Sequence, residues 1–180
     1  MNAVNQQERL LITHELKYYL AGFIEGEGSL TVSIKEHPTT KYGMHLDPEF
    51  FLYQHKAGIK LLQLAQEVFG TGRIFPKHGS ENVLVFSITS RRSLYEKVIP
   101  FFEKYMIFSA KWETFIKFRE IVKAMEETKE HHSQDGLIRL FTLAYQMNPY
   151  SKGKERKRSL QEVIDRILRD YTPESPTLEI

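Results

Sequence analysis

Hydrophobic and polar positions along the chain follow two spacings, one typical of helices and one typical of strands. Apolar residues recur at helical spacing between positions 13 and 26, and from 29 to 36 they alternate with polar residues. The same two spacings return further along the chain. They predict the order helix, strand, strand, helix, strand, strand, helix over 13–26, 29–36, 49–55, 58–69, 73–77, 82–89 and 90–104. This order indicates an α+β fold with an antiparallel sheet packed against helices.

Turn and capping residues mark the ends of these elements. Pro48 closes a polar loop over 37–47, so the second strand is predicted to start after it. Gly70 follows the second helix as a natural stop. Either Ser90 or Ser93 can cap the third helix, and Pro100 predicts a kink within it.

The remainder of the chain is predicted to be helical. Apolar stripes indicate one helix over 111–128 and another around 137–145. A capping box at Ser159-x-x-Glu162 opens a last helix. We therefore expect one domain over 1–172, with a core at 13–128, a C-terminal helical part at 136–171 and a disordered tail at 173–180.

Composition narrows the function classes only a little. The chain has no cysteine, which excludes disulfides and thiolate metal sites. It shows neither the layout of a signal peptide nor an apolar run long enough to span a bilayer. We therefore expect no membrane association and an intracellular, soluble protein, in the cytoplasm or in an organelle matrix.

Charge is distributed unevenly although the net charge is only +2. Between 29 and 92 the sequence has eight Lys or Arg against five acids, and 148–159 has five basic residues against one acid. Such local excess suits a phosphate-binding surface. On these counts alone, a solvated mixed-charge sheet and a solvated basic loop fit as well.

The stretch from Leu20 to Ser29 joins the first helix to the first strand. Gly22 and Gly26 form a small-x-x-x-small pair, which lets a second helix approach closely. The stretch ends in an acid-Gly-acid-Gly turn that contains Glu25 and Glu27. Since a helix C-terminus is the negative end of the helix dipole, a carboxylate placed there suits a bound cation.

This stretch resembles the motif that names the LAGLIDADG homing endonucleases. The resemblance implies their αββαββα fold with a saddle-shaped antiparallel sheet, here followed by C-terminal helices. Because the sequence has one motif, the resemblance implies a homodimer. Its interface would comprise Leu20, Ala21, Gly22, Glu25 and Gly26.

The resemblance also implies a catalytic site. Glu27 matches the second acid of the motif, the metal ligand, and the carbonyl of Gly26 is its expected neighbour. The implied metal is Mg²⁺, with Mn²⁺ or Ca²⁺ able to occupy the same sites. Gln54 matches a residue that helps to order the hydrolytic water. Lys111 matches a lysine near the scissile phosphate, with Lys104 as the competing assignment.

A DNA-binding surface is expected on the open face of the sheet. The first strand points its polar side chains to one side, and neighbouring strands add to them. The basic loop before the last helix supplies phosphate contacts. The expected DNA-binding residues are Ser29, Thr31, Ser33, Lys35, His37, Tyr53, His55, Arg73, Phe75, Lys77, Asn82, Lys154, Lys157, Arg158 and Ser159.

The main functional hypothesis is therefore a site-specific, Mg²⁺-dependent endonuclease acting on double-stranded DNA. The resemblance implies a pseudo-palindromic target of roughly 20 base pairs, two helical turns, cleavage that leaves 3′ overhangs, and a role in intron mobility. One alternative is a non-cleaving nucleic-acid-binding protein of the same fold, either an intron RNA maturase or a DNA-binding regulator. Another is a structural or protein-binding αββ repeat.

Overall fold

The computed structural model describes residues 11–105, 111–147 and 158–169, and the predicted αββαββα order is confirmed in it. Its main helices and strands are α1 (His14–Glu27), β1 (Gly28–Glu36), β2 (Met44–His55), α2 (Ile59–Phe69), β3 (Arg73–Lys77), β4 (Ser80–Ile88), α3 (Arg91–Ser93), α4 (Ile99–Lys104), α5 (Lys111–Lys123), α6 (Gln134–Tyr145) and α7 (Leu160–Leu168). Short 3₁₀ turns lie at Lys56–Gly58 and Glu130–His132, and π-helical turns at Leu94–Val98 and Ala124–Thr128.

The strands form one antiparallel sheet in the order β1-β2-β4-β3. β2 begins at Met44, five residues before the predicted start, so taking Pro48 as the end of a loop was wrong. Pro48 pairs with Val32 of β1, whereas β4 pairs with β2 only from Phe50 onward. The first half of β2 is therefore a sheet edge on its other side, and an edge tolerates a residue without an N–H.

The helices cover one face of this sheet. Phe50 of β2 is fully buried and makes edge-to-face ring contacts with Phe69 of α2, Phe86 of β4 and Phe102 of α4. These contacts join α2 and α4 to the middle of the sheet. On the other face of the sheet, the side chains of Thr31, Phe51 and Tyr53 are only half-buried, which leaves this face available for binding.

Capping decides where the second and third helices begin and end. Gly70 follows α2 in the left-handed conformation at φ 57°, as its position predicted. The side chain of Ser90, not that of Ser93, accepts the capping hydrogen bond, from the backbone N–H of Ser93. A π-helical turn precedes Pro100, so the helical run bulges where the proline interrupts the normal hydrogen-bond ladder.

Helix α7 docks on the end of β1 through ion pairs. Arg158 and Arg166 both contact the carboxylate of Glu36, the latter at 2.7 Å. The predicted capping box of Ser159 and Glu162 is present. No helix in the described residues is long and apolar enough to cross a bilayer, and the expected tail at 173–180 lies outside those residues.

Candidate functional site

Helix α1 has one buried side and one open side. Leu20 and Ala21 are 0% and 5% exposed, so the expectation that they lie in a dimer interface was wrong. They pack instead into the core of their own chain. The periodicity of α1 could not settle this, because its small and apolar residues occupy both sides of the helix.

The open side of α1 is a stripe of small and aromatic residues, formed by Tyr18, Tyr19, Gly22 and Gly26. The two tyrosines are 60% and 58% exposed. A Cβ atom placed on either glycine would meet nothing within 4 Å. The stripe is thus a shallow surface against which another backbone can pack closely. Tyr18 and Tyr19 were missed by sequence reasoning, although their i, i+3, i+4 spacing to Gly22 could have revealed them.

The C-terminal end of α1 is held by a lysine from α5. The ammonium nitrogen of Lys111 donates to the carbonyl oxygens of Ile24 at 3.3 Å, Gly26 at 3.2 Å and Gly28 at 2.7 Å. The first two carbonyls belong to the last turn of α1, and Gly28 is the first residue of β1, so Lys111 bridges the junction between the helix and the strand. Lys111 therefore fixes the turn that carries the acidic residues of the motif.

The pKa of Lys111 is subject to two opposing influences, its burial and the charges of two carboxylates. Burial lowers the pKa of Lys111, and the negative charges of Glu25 and Glu27 oppose that shift. The ammonium and both acids of the motif are therefore close enough to interact. An exposed carboxylate, Glu27, stands beside a fixed positive charge.

The donor set at this turn suits a hard divalent cation. Glu27 is the exposed last residue of α1, and the carbonyl of Gly26 keeps a second lone pair beside the one that Lys111 engages. Carboxylate and carbonyl oxygens are ligands that Mg²⁺ and Ca²⁺ prefer. Among the described residues of one chain, no three His, Asp or Glu side chains cluster to hold a metal.

Gln54 is a further predicted catalytic residue, and its contacts are defined in the structure. Gln54 lies at the end of β2, beyond the Gly28–Leu52 pair that closes the β1–β2 ladder, and therefore at the same end of the sheet as the motif turn. Its Oε1 accepts a 2.7 Å hydrogen bond from the backbone N–H of His55. Its side chain also lies so close to Gly58 that a Cβ there would come within 2.8 Å.

The choice between Lys111 and Lys104 follows from where each lysine lies along α1. The ammonium of Lys104 stands 5.7 Å from the centre of the Tyr105 ring. Tyr105 hydrogen-bonds His14 and packs against Tyr18, in the first half of α1. Since a helix rises about 1.5 Å per residue, Lys104 is at the far end of α1 from Glu27. Lys111 is the lysine that reaches the motif turn.

The open face of the sheet carries most of the side chains expected to contact DNA. The register places Ser29, Thr31, Ser33 and Lys35 of β1 opposite residues of β2 that point the same way. Lys77 lies 5.4 Å from the centre of the Tyr53 ring, which joins β3 to the same surface. The expected residues whose strand position puts them on this face are Ser29, Thr31, Ser33, Lys35, Tyr53, His55, Arg73 and Phe75.

The residues of β2 that sequence reasoning missed on this face are His45, Asp47, Glu49 and Phe51. The early start of β2 adds the first two, and strand alternation gives the others. The signal in the sequence was the alternation of the apolar residues Met44 and Leu46 with the polar residues His45 and Asp47. His37 joins this surface, because its ring lies 6.0 Å from that of His45.

Other expected DNA contacts are placed differently. Asn82 alternates with Val83 and Val85, so its strand position assigns it to the other side of the sheet. The guanidinium of Arg158 pairs with Glu36, and Ser159 caps α7. Both residues therefore have structural partners within the chain. Lys154 and Lys157 lie outside the described residues.

A comparison with protein-family models identifies the family of this chain. The model of the LAGLIDADG endonuclease family matches residues 20–122, which include the motif, the whole sheet and most of α5. The chain belongs to the LAGLIDADG endonuclease family. This membership confirms the resemblance of the motif and argues against an unrelated αββ repeat.

Curated relatives carry the same assignment. The DNA endonuclease I-CeuI of Chlamydomonas moewusii is 52% identical over 102 residues, which are 57% of this chain and 47% of that protein. The chain thus matches about half the length of I-CeuI. The homing endonuclease I-ApeII of Aeropyrum pernix is 32% identical over 162 residues, 89% of this chain and 95% of that protein.

Solved structures confirm the predicted fold. I-CeuI in complex with DNA superposes with a TM-score of 0.80 at 36% identity, covering 89% of this chain and 79% of that one. The archaeal enzyme I-Vdi141I, also in complex with DNA, gives 0.77 at 36% identity, covering 84% and 93%. With the family match, these relatives make this LAGLIDADG chain a site-specific DNA homing endonuclease, a hydrolase.

Replacing Lys111 by Met tests its role at the motif turn. We expect Lys111→Met to lower the free energy of unfolding by about 1–3 kcal/mol, because three carbonyls at the junction of α1 and β1 lose their charged donor. Urea unfolding at one fixed protein concentration measures this loss. The matched control is Lys117→Met on the same helix, which we expect to change little. Equal effects of the two variants would contradict the assignment.

Proposed function

We propose that this chain acts as a homodimer that cuts both strands of a long, pseudo-palindromic DNA site in a Mg²⁺-dependent hydrolysis. Cleavage that leaves 3′ overhangs and a role in intron mobility belong to the same proposal. The observation that carries it is the geometry of α1. One helix presents an open small-residue stripe to solvent and ends in an exposed carboxylate, Glu27.

The dimer follows from the single motif. A symmetric pair of chains meets through the same patch on each, so a helix at the two-fold axis must pack against its own copy. The open stripe suits this contact, because its glycines allow close approach and its tyrosines are exposed in the single chain. Packing two stripes together would bring both copies of Glu27 toward the axis. Each chain would then contribute one Glu27 carboxylate to the region around the axis.

The residues expected to hold the cation are Glu27 and the carbonyl of Gly26, from each chain. A bound Mg²⁺ would polarise the scissile phosphate and lower the pKa of a bound water, and Mn²⁺ or Ca²⁺ could occupy the same oxygen-rich position. A glutamate is one methylene longer than the aspartate common in this family. Its carboxylate therefore reaches further from the helix end.

We expect two further side chains, Lys111 and Gln54, to take part in catalysis. Lys111 holds the motif turn, and we expect its positive charge to lie near the scissile phosphate. The Gln54 amide has both a donor and an acceptor with which to orient a water molecule. Charge stabilisation by such fixed groups is worth most when they need not rearrange during the reaction.

Recognition is proposed to occur through the open face of the sheet. Its hydroxyl, basic and acidic side chains supply the donors and acceptors that base edges in the major groove require. Two such faces related by the dimer axis would read two half-sites, over roughly two helical turns in total.

A non-cleaving nucleic-acid-binding protein of the same fold, either a maturase or a regulator, is the second candidate. Binding alone does not require a carboxylate at the end of α1. The exposed Glu27, with the Lys111 ammonium beside it, favours the nuclease.

Changing Glu27 to Gln separates cleavage from binding. A target is first selected by incubating the wild-type protein with a randomised DNA library in Mg²⁺. We expect Glu27→Gln to abolish cutting of that target and to retain binding, since the amide keeps the size but removes the ligand charge. Glu67→Gln, at an exposed position of α2, is the control and should cut normally. Binding without cutting by the wild-type protein would instead favour the maturase or regulator.

Changing Gly22 to Leu tests the dimer. A Cβ atom at position 22 meets nothing within 4 Å in its own chain, and leucine is the better helix former, so the single chain should stay folded. The same side chain should block the close approach of two α1 helices. We therefore expect a folded monomer by sedimentation equilibrium, with no cleavage. Gln63→Leu, on the exposed side of α2, should remain dimeric, and a dimeric Gly22→Leu protein would rule out this interface.

A further inference from the structure

The open face of the sheet contains an ion pair that the catalytic site does not use. The ammonium of Lys35 in β1 lies 2.7 Å from Oδ2 of Asp47 in β2. The Nε2 atom of His45 lies 2.6 Å from Oδ1 of the same carboxylate. The side chains of Lys35 and Asp47 are 55% and 31% exposed, so both remain accessible from the solvent side.

A carboxylate on a DNA-binding face needs an explanation, because the phosphates of DNA repel it. Burial would raise the pKa of Asp47, but the hydrogen bond from Lys35 and the charges of His45 and Lys35 hold it below its usual value. Asp47 is thus kept ionised and paired. The Lys35 hydrogen bond also raises the pKa of Lys35 itself. The pair therefore presents a fixed donor beside a fixed acceptor.

The major-groove edge of a G·C base pair has the complementary arrangement. Guanine offers acceptors at O6 and N7, and cytosine offers a donor at N4. O6 and N4 are hydrogen-bonded to each other in the pair and therefore lie about 2.9 Å apart. This separation is close to the 2.7 Å between the Lys35 nitrogen and the Asp47 oxygen.

We propose that Lys35 and Asp47 together read one G·C base pair in each half-site, with Lys35 donating to guanine O6 and N7 and Asp47 accepting from cytosine N4. The proposal rests on the function proposed above, in which the open face lies in the major groove. His45 is a positioning residue here, because it holds the second oxygen of Asp47.

The order of donor and acceptor makes the reading directional. A C·G pair presents the cytosine donor and the guanine acceptors in reverse order, and an A·T pair reverses the two central groups as well. A T·A pair keeps the central order but places a methyl group where guanine has N7. Lys35 and Asp47 should therefore prefer G·C, accept T·A less well, and discriminate against the two reversed pairs.

The test is to exchange the two charges. Base preferences are read by sequencing the sites that each protein binds or cuts from a randomised library. In the wild-type protein, one symmetric pair of positions should require G·C. In the double variant Lys35→Asp/Asp47→Lys, which keeps the ion pair, the same positions should prefer C·G. The variant Asp47→Asn should relax the cytosine requirement there by roughly tenfold to hundredfold.

The outcomes are distinguishable. If the wild-type protein selects no site at all, the proposed function fails. If it selects a site but the exchanged protein keeps the wild-type orientation, the reading by Lys35 and Asp47 is overturned. Should the exchanged protein fail to fold by circular dichroism, Lys35→Gln and Asp47→Asn decide. Both variants must alter base preference at the same symmetric positions. An unchanged profile, or changes confined to other positions, would contradict the proposal. Glu67→Gln should leave the whole profile unchanged.

Discussion

The end of α1 is the point on which the rest of the structure depends. A helix terminates with carbonyls that lack partners within the helix, and here the chain must also turn directly into β1, the first strand of the sheet. Lys111 donates to three carbonyls around this junction, those of Ile24, Gly26 and Gly28, from a helix more than eighty residues further along the chain. This long-range contact ties α5 to the motif turn. It thereby fixes the direction in which Glu27 leaves the helix.

The two sides of α1 differ in packing: one is buried against the sheet of its own chain, and the other is open. Leu20 and Ile24 are buried and anchor the helix to its own sheet. On the other side, Gly22 and Gly26 leave space that the chain does not fill. A protein that worked as a single chain would gain helix stability from alanine at these two positions. Glycine is understandable there if a second backbone packs into the space.

Much of the fold could be predicted from the sequence, because apolar periodicity and turn residues are local signals. The αββαββα order, the stop at Gly70 and the capping box at Ser159 follow from such signals and are confirmed. Pro48 led to a wrong start for β2, because a proline is tolerated within a strand where one edge of that strand is unpaired. Which edges are paired cannot be read from the local sequence. The exposed and buried sides of α1 were also confused, since Leu20 and Gly22 both suit a closely packed helix.

The candidate site could be predicted only in part. The motif predicted Glu27 and Gly26 as metal ligands, and the family resemblance predicted a lysine beyond the third helix, but neither predicted which atoms that lysine contacts. The three carbonyl contacts of Lys111 depend on how α5 lies against α1, which the sequence does not state. His45 and Asp47 joined the open face only once the register of β2 was known.

The central claim is that two copies of α1 meet at Gly22 about a two-fold axis. The chain has no cysteine, so Gly22→Cys introduces a single thiol at that point. A disulfide requires Cα atoms about 4.4–6.8 Å apart, and closely packed helices bring two copies of residue 22 within that range. Mild oxidation should produce a covalent dimer on a non-reducing gel, whereas Gln63→Cys on α2 should stay monomeric. A Gly22→Cys protein that forms no more covalent dimer than Gln63→Cys would contradict the account.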